Sequence, residues 1–440
     1  MTGWWLLPRR VRLWWLLGAS LVFYATWNVL YVPGFLLLIL VNFVLGLAAA
    51  GPYRRAAVAT AVTIDLVLLG LFKYLDWAIG SGASIVAVIT GRQVHLGGLG
   101  LILPLAISFV TFTLVAYVVD VGRGRAPERN PLRFAVFIGQ FPNLVAGPIL
   151  RGRELLPQLR HLRPFRATYV GDAVPLLLGG LLKKSLADLF APGVQQAFAD
   201  PGRQSSAALL VGAVAFTFQL YLDFSGYTDI ALGSARLMGF RLPRNFDWPY
   251  RSTNMAEFWK HWHITLGRWL RDYLYFPLGG SRKGQPRAYL NLLITMTLCG
   301  LWHGAGLTFI VWGFLQGVAL CAYRFWRRRP GVPRMPLLVG WAVTFTFVVL
   351  VRVFFAAPDI GDALAYLRDL VTFQDGAAPE PLMVLACVLG ILGQLPVLER
   401  SFRRVVPRHS VGRWASYGAM AGLVILLLPV QGAPFIYARF

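Results

Sequence analysis

The fold of this chain is constrained above all by its long apolar runs, most of which are close to the length that crosses a lipid bilayer. The hydrocarbon core is roughly 30 Å thick, which a helix spans with about 20 residues. Inside it the backbone must satisfy its own hydrogen bonds, and the runs lack the alternation of a membrane β-strand, so they are predicted to be helices. We predict an all-α polytopic membrane protein with about eleven spans, at 13–30, 34–50, 57–79, 98–120, 170–199, 206–235, 288–303, 306–325, 336–356, 382–398 and 413–431.

The composition excludes an ordinary water-soluble domain, because 57% of the residues are hydrophobic and only 14% are charged. The formal net charge of +23 could indicate nucleic-acid binding. The arginines, however, are divided among short segments between apolar runs and do not form one stripe. This distribution favours contact with anionic membrane lipid, and no nucleic-acid partner is expected.

The basic segments predict the topology. They lie at 9–12, 54–55, 123–166, 236–287, 324–334 and 403–413. Two spans separate each from the next if the segment 134–150 enters the membrane and returns on the same side. Gly139, Pro142 and Pro148 would break a straight helix there, which supports a re-entrant segment. The positive-inside rule then predicts a cytoplasmic N-terminus, an extracytoplasmic C-terminus and an extracytoplasmic acidic loop at 359–380.

An ionisable residue inside a membrane is a functional candidate, and His303 is the clearest histidine of this kind. It precedes Gly304 and Gly306, between two apolar runs. A helix over 288–303 rises only about 24 Å, so the histidine is predicted to lie in a recessed, partly dry pocket. A neutral imidazole there can take a proton from a hydroxyl and return it to a leaving group. The residues alone support equally a structural histidine that donates to a helix carbonyl.

The segment 236–287 has no clear span but is rich in aromatic residues, which predicts amphipathic helices at the cytoplasmic interface. His261 and His263 lie two apart there and would point in different directions on a helix, so no metal site is expected. His263 either lines a passage towards His303 or caps a helix.

The predicted span 206–235 contains Asp223 and Asp229, whose polarity must face the protein interior. A scaffolding role is favoured for both, with Asp223 orienting a histidine or pairing with an arginine. Lys183 and Lys184, in the preceding run, are interpreted as residues that snorkel to the lipid headgroups.

Several sequence motifs follow one another in an order that is typical of a known family. They are LPLAISF at 103–109, FPNLVAGPI at 141–149, YLDFSGYTD at 221–229, FWKHWHITL at 258–266, WLRDYLY at 269–275, LWHG at 301–304 and FIY at 435–437. In these motifs the chain resembles, from about Trp14 to its end, the membrane-bound O-acyltransferases. The resemblance is to the bacterial branch that includes alginate O-acetyltransferase and the D-alanyl lipoteichoic acid transfer protein.

The resemblance implies a single membrane domain over 1–440, with helices around a central tunnel. In the family, the histidine that matches His303 is catalytic, and the one that matches His263 is a second near-invariant position along the tunnel. The residues that it implies as supporting or substrate-binding are Trp302, Asp223, Arg271 and Asn254.

The resemblance also implies the chemistry. A cytoplasmic thioester, acetyl-CoA or an acylated carrier protein, meets one end of the tunnel, and an extracytoplasmic hydroxyl meets the other. The implied location is the bacterial inner membrane, the implied partner is an extracytoplasmic acyltransferase or a polysaccharide acceptor, and no tightly bound cofactor is expected. The motifs favour acetyl transfer to an exopolysaccharide or another envelope glycan. D-alanyl transfer to teichoic acid and a non-catalytic polysaccharide export channel are the alternatives.

The chain departs from the family pattern at two places. The family normally has a further apolar helix before the segment that matches 4–10, and Ala356 stands where an arginine is expected. Neither departure involves the histidines.

Overall fold

A computed structural model of the chain describes residues 2–92, 97–333, 335–395 and 411–427. Within these ranges the regular structure is helical, apart from an isolated bridge between Gln204 and Ala377. This confirms the predicted all-α class. The helices are α1 Thr2–Leu6, α2 Arg9–Ala25, α3 Tyr31–Ala48, α4 Arg54–Thr90, α5 Ile107–Gly122, α6 Pro131–Gly139, α7 Phe141–Leu144, α8 Gly152–Arg160, α9 Ala167–Ala199, α10 Ser206–Leu237, α11 Met255–His261, α12 Ile264–Leu270, α13 Gln285–His303, α14 Leu307–Arg328, α15 Leu337–Ala356, α16 Ile360–Val371, α17 Pro381–Gly393 and α18 Val411–Leu426.

Each predicted apolar run contains a helix within its described residues. In the described part of the chain, five helices are both long and apolar enough to cross a bilayer, namely α3, α4, α10, α14 and α15. Two shorter apolar helices, α5 and α17, accompany them. The protein is therefore a multi-pass membrane protein, whereas the total of about eleven spans stays a prediction.

Among the helix ends that differ from the predicted ones, three differ because of a glycine or proline. Helix α4 continues to Thr90, where Gly91 adopts a left-handed conformation with φ 65°. Helix α5 begins only at Ile107, since Pro104 and a left-handed Ala106 interrupt the run that was predicted from 98. Helix α13 begins three residues earlier than predicted, after Gly284.

The segment 134–150, which was predicted to be re-entrant, contains no helix of spanning length. Helix α6 ends at Gly139, Gln140 leaves the helical region with ψ 121°, and α7 has only 4 residues. A Cβ at Gly147 would lie 2.2 Å from the Asn143 side chain, so the turn after α7 requires glycine. The broken backbone agrees with the prediction, and the position of the segment in the membrane stays a prediction.

The chain packs into two compact units, and the single domain over 1–440 stays a prediction. The first unit comprises Met1–Ala173 and Ala231–Pro243, and the second comprises Val174–Ile230 and Arg244–Phe440. The first unit has a core of leucine and aromatic side chains from α2, α3, α5, α6 and α8. It also contains a buried polar pair, in which Asn42 of α3 donates a 2.8 Å hydrogen bond to Asp65 of α4.

In the second unit, α9 and α10 meet through glycines and ion pairs. A Cβ at Gly180 would lie 2.7 Å from the Gly226 carbonyl oxygen. Lys183 pairs with Asp229 at 2.6 Å. Lys184 pairs with Asp188 and, at 3.2 Å, with Asp223. Aspartates of α9 and α10 thus neutralise both lysines. That the lysines reach the lipid headgroups stays a prediction.

Candidate active site

His303 is the last residue of α13, and a glycine-mediated contact with α14 fixes that end of the helix. A Cβ at Gly300 would lie 2.1 Å from the Phe309 carbonyl oxygen, and one at Gly313 would lie 2.3 Å from the Met296 carbonyl oxygen. The two helices therefore pack backbone to backbone one turn before His303. Gly304, which is extended at φ −162°, then lets the chain pass beneath the Phe309 ring, where a Cβ would lie 2.1 Å from a ring carbon.

The imidazole of His303 is enclosed by aromatic rings. Trp302 lies 4.9 Å away between ring centroids, Trp312 5.2 Å and Phe355 5.3 Å, all in edge-to-face arrangements. The side chain is 2% exposed. Helix α13, at 19 residues, rises about 28 Å and is nearly as long as the hydrocarbon core is thick. The aromatic enclosure, and not a short helix, thus keeps water from this imidazole.

His263 occupies an unusual backbone position that Asn245 stabilises. Its φ of 43° and ψ of 53° lie in the left-handed region, which residues other than glycine seldom adopt. It immediately precedes α12, whose first backbone N–H groups have no partner within the helix. The Asn245 carbonyl oxygen accepts from Ile264 N at 2.9 Å, and Asn245 Oδ1 accepts from Thr265 N at 3.2 Å. Asn245 thus caps α12 from outside the helix.

The same amide fixes the tautomer of His263. The Thr265 N–H can only donate, so the Asn245 atom that faces it must be the oxygen. His263 Nδ1 lies 3.1 Å from that oxygen and therefore carries the proton. Burial lowers the pKa of His263 to about 3. The imidazole is thus neutral at physiological pH, with its lone pair on Nε2.

Trp302 joins the two histidines. Its ring lies 6.1 Å from the ring of His263 and 4.9 Å from that of His303, with interplanar angles of 65° and 70°. Phe224 also packs on His263, with the two ring centroids 4.8 Å apart. The structure therefore brings together three of the predicted site residues, and the role of each stays a prediction.

Asp223 precedes Phe224 on α10, and one of its partners is a lysine of the adjoining helix. Its carboxylate is 1% exposed and pairs with Lys184. The residue thereby anchors α10 to α9 while Phe224 contacts His263. The predicted orientation of a histidine or pairing with an arginine by Asp223 stays a prediction.

Arg271 and Asn254 lie in hydrogen-bond networks of their own. Arg271 begins a π turn over Arg271–Tyr275, where its guanidinium pairs with Asp272 at 2.7 Å and is about half exposed. Asn254 is the N-cap of α11, and its side chain accepts a 2.9 Å hydrogen bond from Glu257 N. Their predicted support of substrate binding stays a prediction.

Arg352 is a buried residue beside the site that sequence reasoning did not select. Its guanidinium donates to the Thr217 carbonyl oxygen at 3.0 Å and to the Tyr250 hydroxyl, and it lies 4.3 Å from the ring centroid of Trp262. Trp262 directly precedes His263. Phe355, one turn after Arg352 on α15, packs on His303. A lone arginine in the run 336–356 was the signal that could have identified it, because ionisable residues inside a membrane are functional candidates.

Comparison with known proteins places this geometry in a family context. Residues 128–355 match the model of MBOAT, the membrane-bound O-acyltransferase family. The chain is 38% identical over 375 residues to the probable alginate O-acetylase AlgI of Azotobacter vinelandii, covering 84% of this chain and 74% of the relative. It is 36% identical over 396 residues to the peptidoglycan O-acetyltransferase of Helicobacter pylori, covering 81% and 73%. Similarity to the teichoic acid D-alanyltransferase of Streptococcus thermophilus is lower, at 30% over 256 residues, covering 55% and 60%.

Proposed function

Because the chain belongs to the membrane-bound O-acyltransferase family and is an O-acyltransferase, we propose that it moves an acetyl group from a cytoplasmic thioester to a hydroxyl of an extracytoplasmic glycan. The observation that supports His303 and His263 as its centre is their common contact with Trp302, at the end of α13. Both imidazoles are buried, so water that could hydrolyse the thioester is excluded from them.

In this proposal His303 is the general base. Its imidazole takes the proton of the acceptor hydroxyl as that oxygen attacks the thioester carbonyl carbon. The new C–O bond forms, the tetrahedral intermediate collapses with cleavage of the C–S bond, and the imidazolium returns the proton to the departing thiolate. The three aromatic rings around His303 support the proposal because they fix the position of the base and do not themselves take up its proton.

His263 has the role of positioning the thioester donor. Its Nδ1–H is committed to Asn245, and its pKa of about 3 keeps the ring neutral, so Nε2 is a hydrogen-bond acceptor of fixed direction. An amide N–H on the arm of a thioester carrier has the complementary chemistry. The donor is acetyl-CoA or an acylated carrier protein, and no cofactor remains bound between turnovers.

The proposed acetyl group and glycan acceptor derive from the relatives. The names of the two relatives with the higher identity specify O-acetylation of alginate and of peptidoglycan. D-alanyl transfer to teichoic acid is the second candidate, since a more distant relative carries that activity in its name. We further propose the bacterial inner membrane, with a cytoplasmic N-terminus, an extracytoplasmic C-terminus, and an extracytoplasmic acyltransferase or polysaccharide as partner.

The test compares His303→Ala with His261→Ala. His261 lies in the second unit like His303, but its Nδ1 is 3.4 Å from the Ser252 hydroxyl oxygen. His261→Ala therefore serves as the matched control. Loss of a general base lowers the rate by about 10²- to 10⁴-fold, and we expect this for His303→Ala alone. The measurements are the O-acetyl content of the envelope glycans and the amount of protein in the membrane fraction.

Unchanged O-acetylation by His303→Ala, at a normal membrane level, would refute the role of His303. Isotopically labelled acetyl and D-alanyl donors, supplied in parallel to membranes that contain the wild-type protein, distinguish the two candidate reactions.

A further inference from the structure

The first unit contains an open groove that the candidate active site does not use. Its volume is about 920 Å³, and it lies between the N-terminal half of α2, the start of α6 and the end of α8. The guanidinium groups of Arg9, Arg10, Arg133 and Arg160 line it, together with the His161 side chain, and none of the lining residues is a carboxylate. One end of the groove therefore has a strong positive charge.

A buried carboxylate behind the groove orients two of these arginines. Glu128 is 1% exposed and pairs with Arg133 at 3.1 Å and with Arg160 at 2.9 Å. Burial alone would raise the pKa of Glu128, but the Asn130 N–H and the two guanidinium groups lower it below its usual value of 4.5. The carboxylate is thus ionised, and it accepts hydrogen bonds from only some of the N–H groups of each guanidinium. The remaining N–H groups are held in place without prior binding of a ligand.

The remainder of the groove is apolar. Leu13, Trp14 and Leu17 follow Arg10 at the spacing of one helical face on α2, and Leu132 lies opposite on α6. Trp14 is 63% exposed. The charged and apolar parts are therefore arranged in sequence along the axis of a helix that was predicted to enter the membrane from the cytoplasmic side.

We propose that this groove is a binding site for an anionic phospholipid of the inner leaflet. The phosphate lies among the four arginines, and an acyl chain lies along Leu13, Trp14 and Leu17. Guanidinium groups match phosphate oxygens in geometry and charge. A soluble phosphate compound would use the charged end only and would leave the exposed indole and leucines uncovered. The proposal does not depend on the acyl-transfer reaction.

The test measures lipid retention by the purified, delipidated full-length protein with native mass spectrometry. The probes are phosphatidylglycerol and phosphatidylcholine with identical acyl chains. We expect preferential retention of phosphatidylglycerol, and about a fivefold loss of its affinity for each arginine removed in Arg9→Gln/Arg10→Gln. These two arginines are exposed and form no ion pair with any described residue, so their replacement leaves the Glu128 cluster intact.

The matched control is Arg54→Gln/Arg55→Gln, which removes the same charge from exposed positions outside the groove. Equal losses in both double variants, or no loss in Arg9→Gln/Arg10→Gln, would overturn the proposal. Glycerol phosphate that competes as strongly as the lipid would overturn it as well, since the site would then recognise only a soluble phosphate. The proposal would also be overturned if Arg9→Gln/Arg10→Gln lost binding of an acidic carrier protein while its lipid retention was unchanged.

Discussion

His303 and His263 contact the same indole, yet the regions that hold them differ. His303 ends a regular helix, and its surroundings are three aromatic rings supported by a backbone contact between α13 and α14. His263 lies in an irregular segment, where the Asn245 side-chain oxygen accepts hydrogen bonds from Thr265 N and from His263 Nδ1 and so sets the tautomer of the imidazole. Packing thus fixes the position of the His303 imidazole, whereas hydrogen bonding fixes which nitrogen of His263 can accept a hydrogen bond. This difference suits a proton carrier at His303 and a positioning residue at His263.

Among the variants that keep both histidines, the largest effect is expected from Gly300→Ala, which tests the packing side of the comparison. The added methyl group meets the Phe309 carbonyl oxygen, so α13 and α14 must separate. We expect acyl transfer to fall by about 100-fold, since a shift of 1 Å at a catalytic group can have that effect, and stability to fall by about 1–3 kcal/mol. Gly306→Ala is the control, because the nearest atom to its Cβ would be 3.5 Å away. Transfer rates measure the first effect, and thermal unfolding in detergent measures the second. Equal transfer rates for Gly300→Ala and Gly306→Ala would contradict the packing argument.

A smaller effect is expected from Asn245→Ala, which tests the hydrogen-bonding side. The variant leaves the Thr265 donors and His263 Nδ1 without their buried acceptor, at a cost of about 1–3 kcal/mol. If a similar free energy is lost at the transition state, the rate falls about tenfold or more. The second variant to compare is Asn245→Asp, which keeps the hydrogen-bond acceptor and adds a negative charge.

The carboxylate in Asn245→Asp raises the pKa of His263 from its value of about 3. The wild-type ring stays neutral as the pH falls towards 4, but in this variant it gains a proton at a higher pH. Activity of Asn245→Asp should therefore decline on the acid side earlier than that of the wild type. If the pH profiles of activity coincided for Asn245→Asp and the wild type, a neutral His263 would not be required for acyl transfer.

The smallest effect is expected from Arg352→Lys, which tests whether the two regions depend on each other. Lysine keeps the charge but lacks the planar fork that donates to both Thr217 and Tyr250 and covers Trp262. We expect about a threefold to tenfold fall in rate, through loss of about 1 kcal/mol of hydrogen bonding. A larger fall for Arg352→Lys than for Asn245→Ala, measured as transfer rates at equal membrane levels, would mean that α15 and not Asn245 positions the site.

Local pattern was enough to predict the helical architecture and the position of His303. The apolar runs gave the helices because backbone satisfaction in a membrane leaves few other structures, and Gly304 marked the turn after His303. The family motifs selected His263 and Trp302, which the structure brings together.

The partners of these residues could not be predicted, because they are distant in the chain. Arg352 meets Thr217 across 135 positions, and His263 meets Asn245 across 18. The partner of Lys183 was missed for the same reason, since this aspartate comes from another helix 46 residues away. Predictions of helix ends were wrong where one residue, such as Ala106, adopts a left-handed conformation that its residue type does not indicate.

The close contact between α13 and α14 also determines which part of the second unit can move during turnover. Gly300 and Gly313 leave no side chain between the helices that could change its rotamer, so the hairpin behaves as one rigid piece. The segment 244–276 consists of short helices joined by turns, where a few backbone dihedral angles can act as hinges. The hairpin is therefore the fixed frame that carries His303, and the segment that carries His263 is the part of the second unit with more freedom to move.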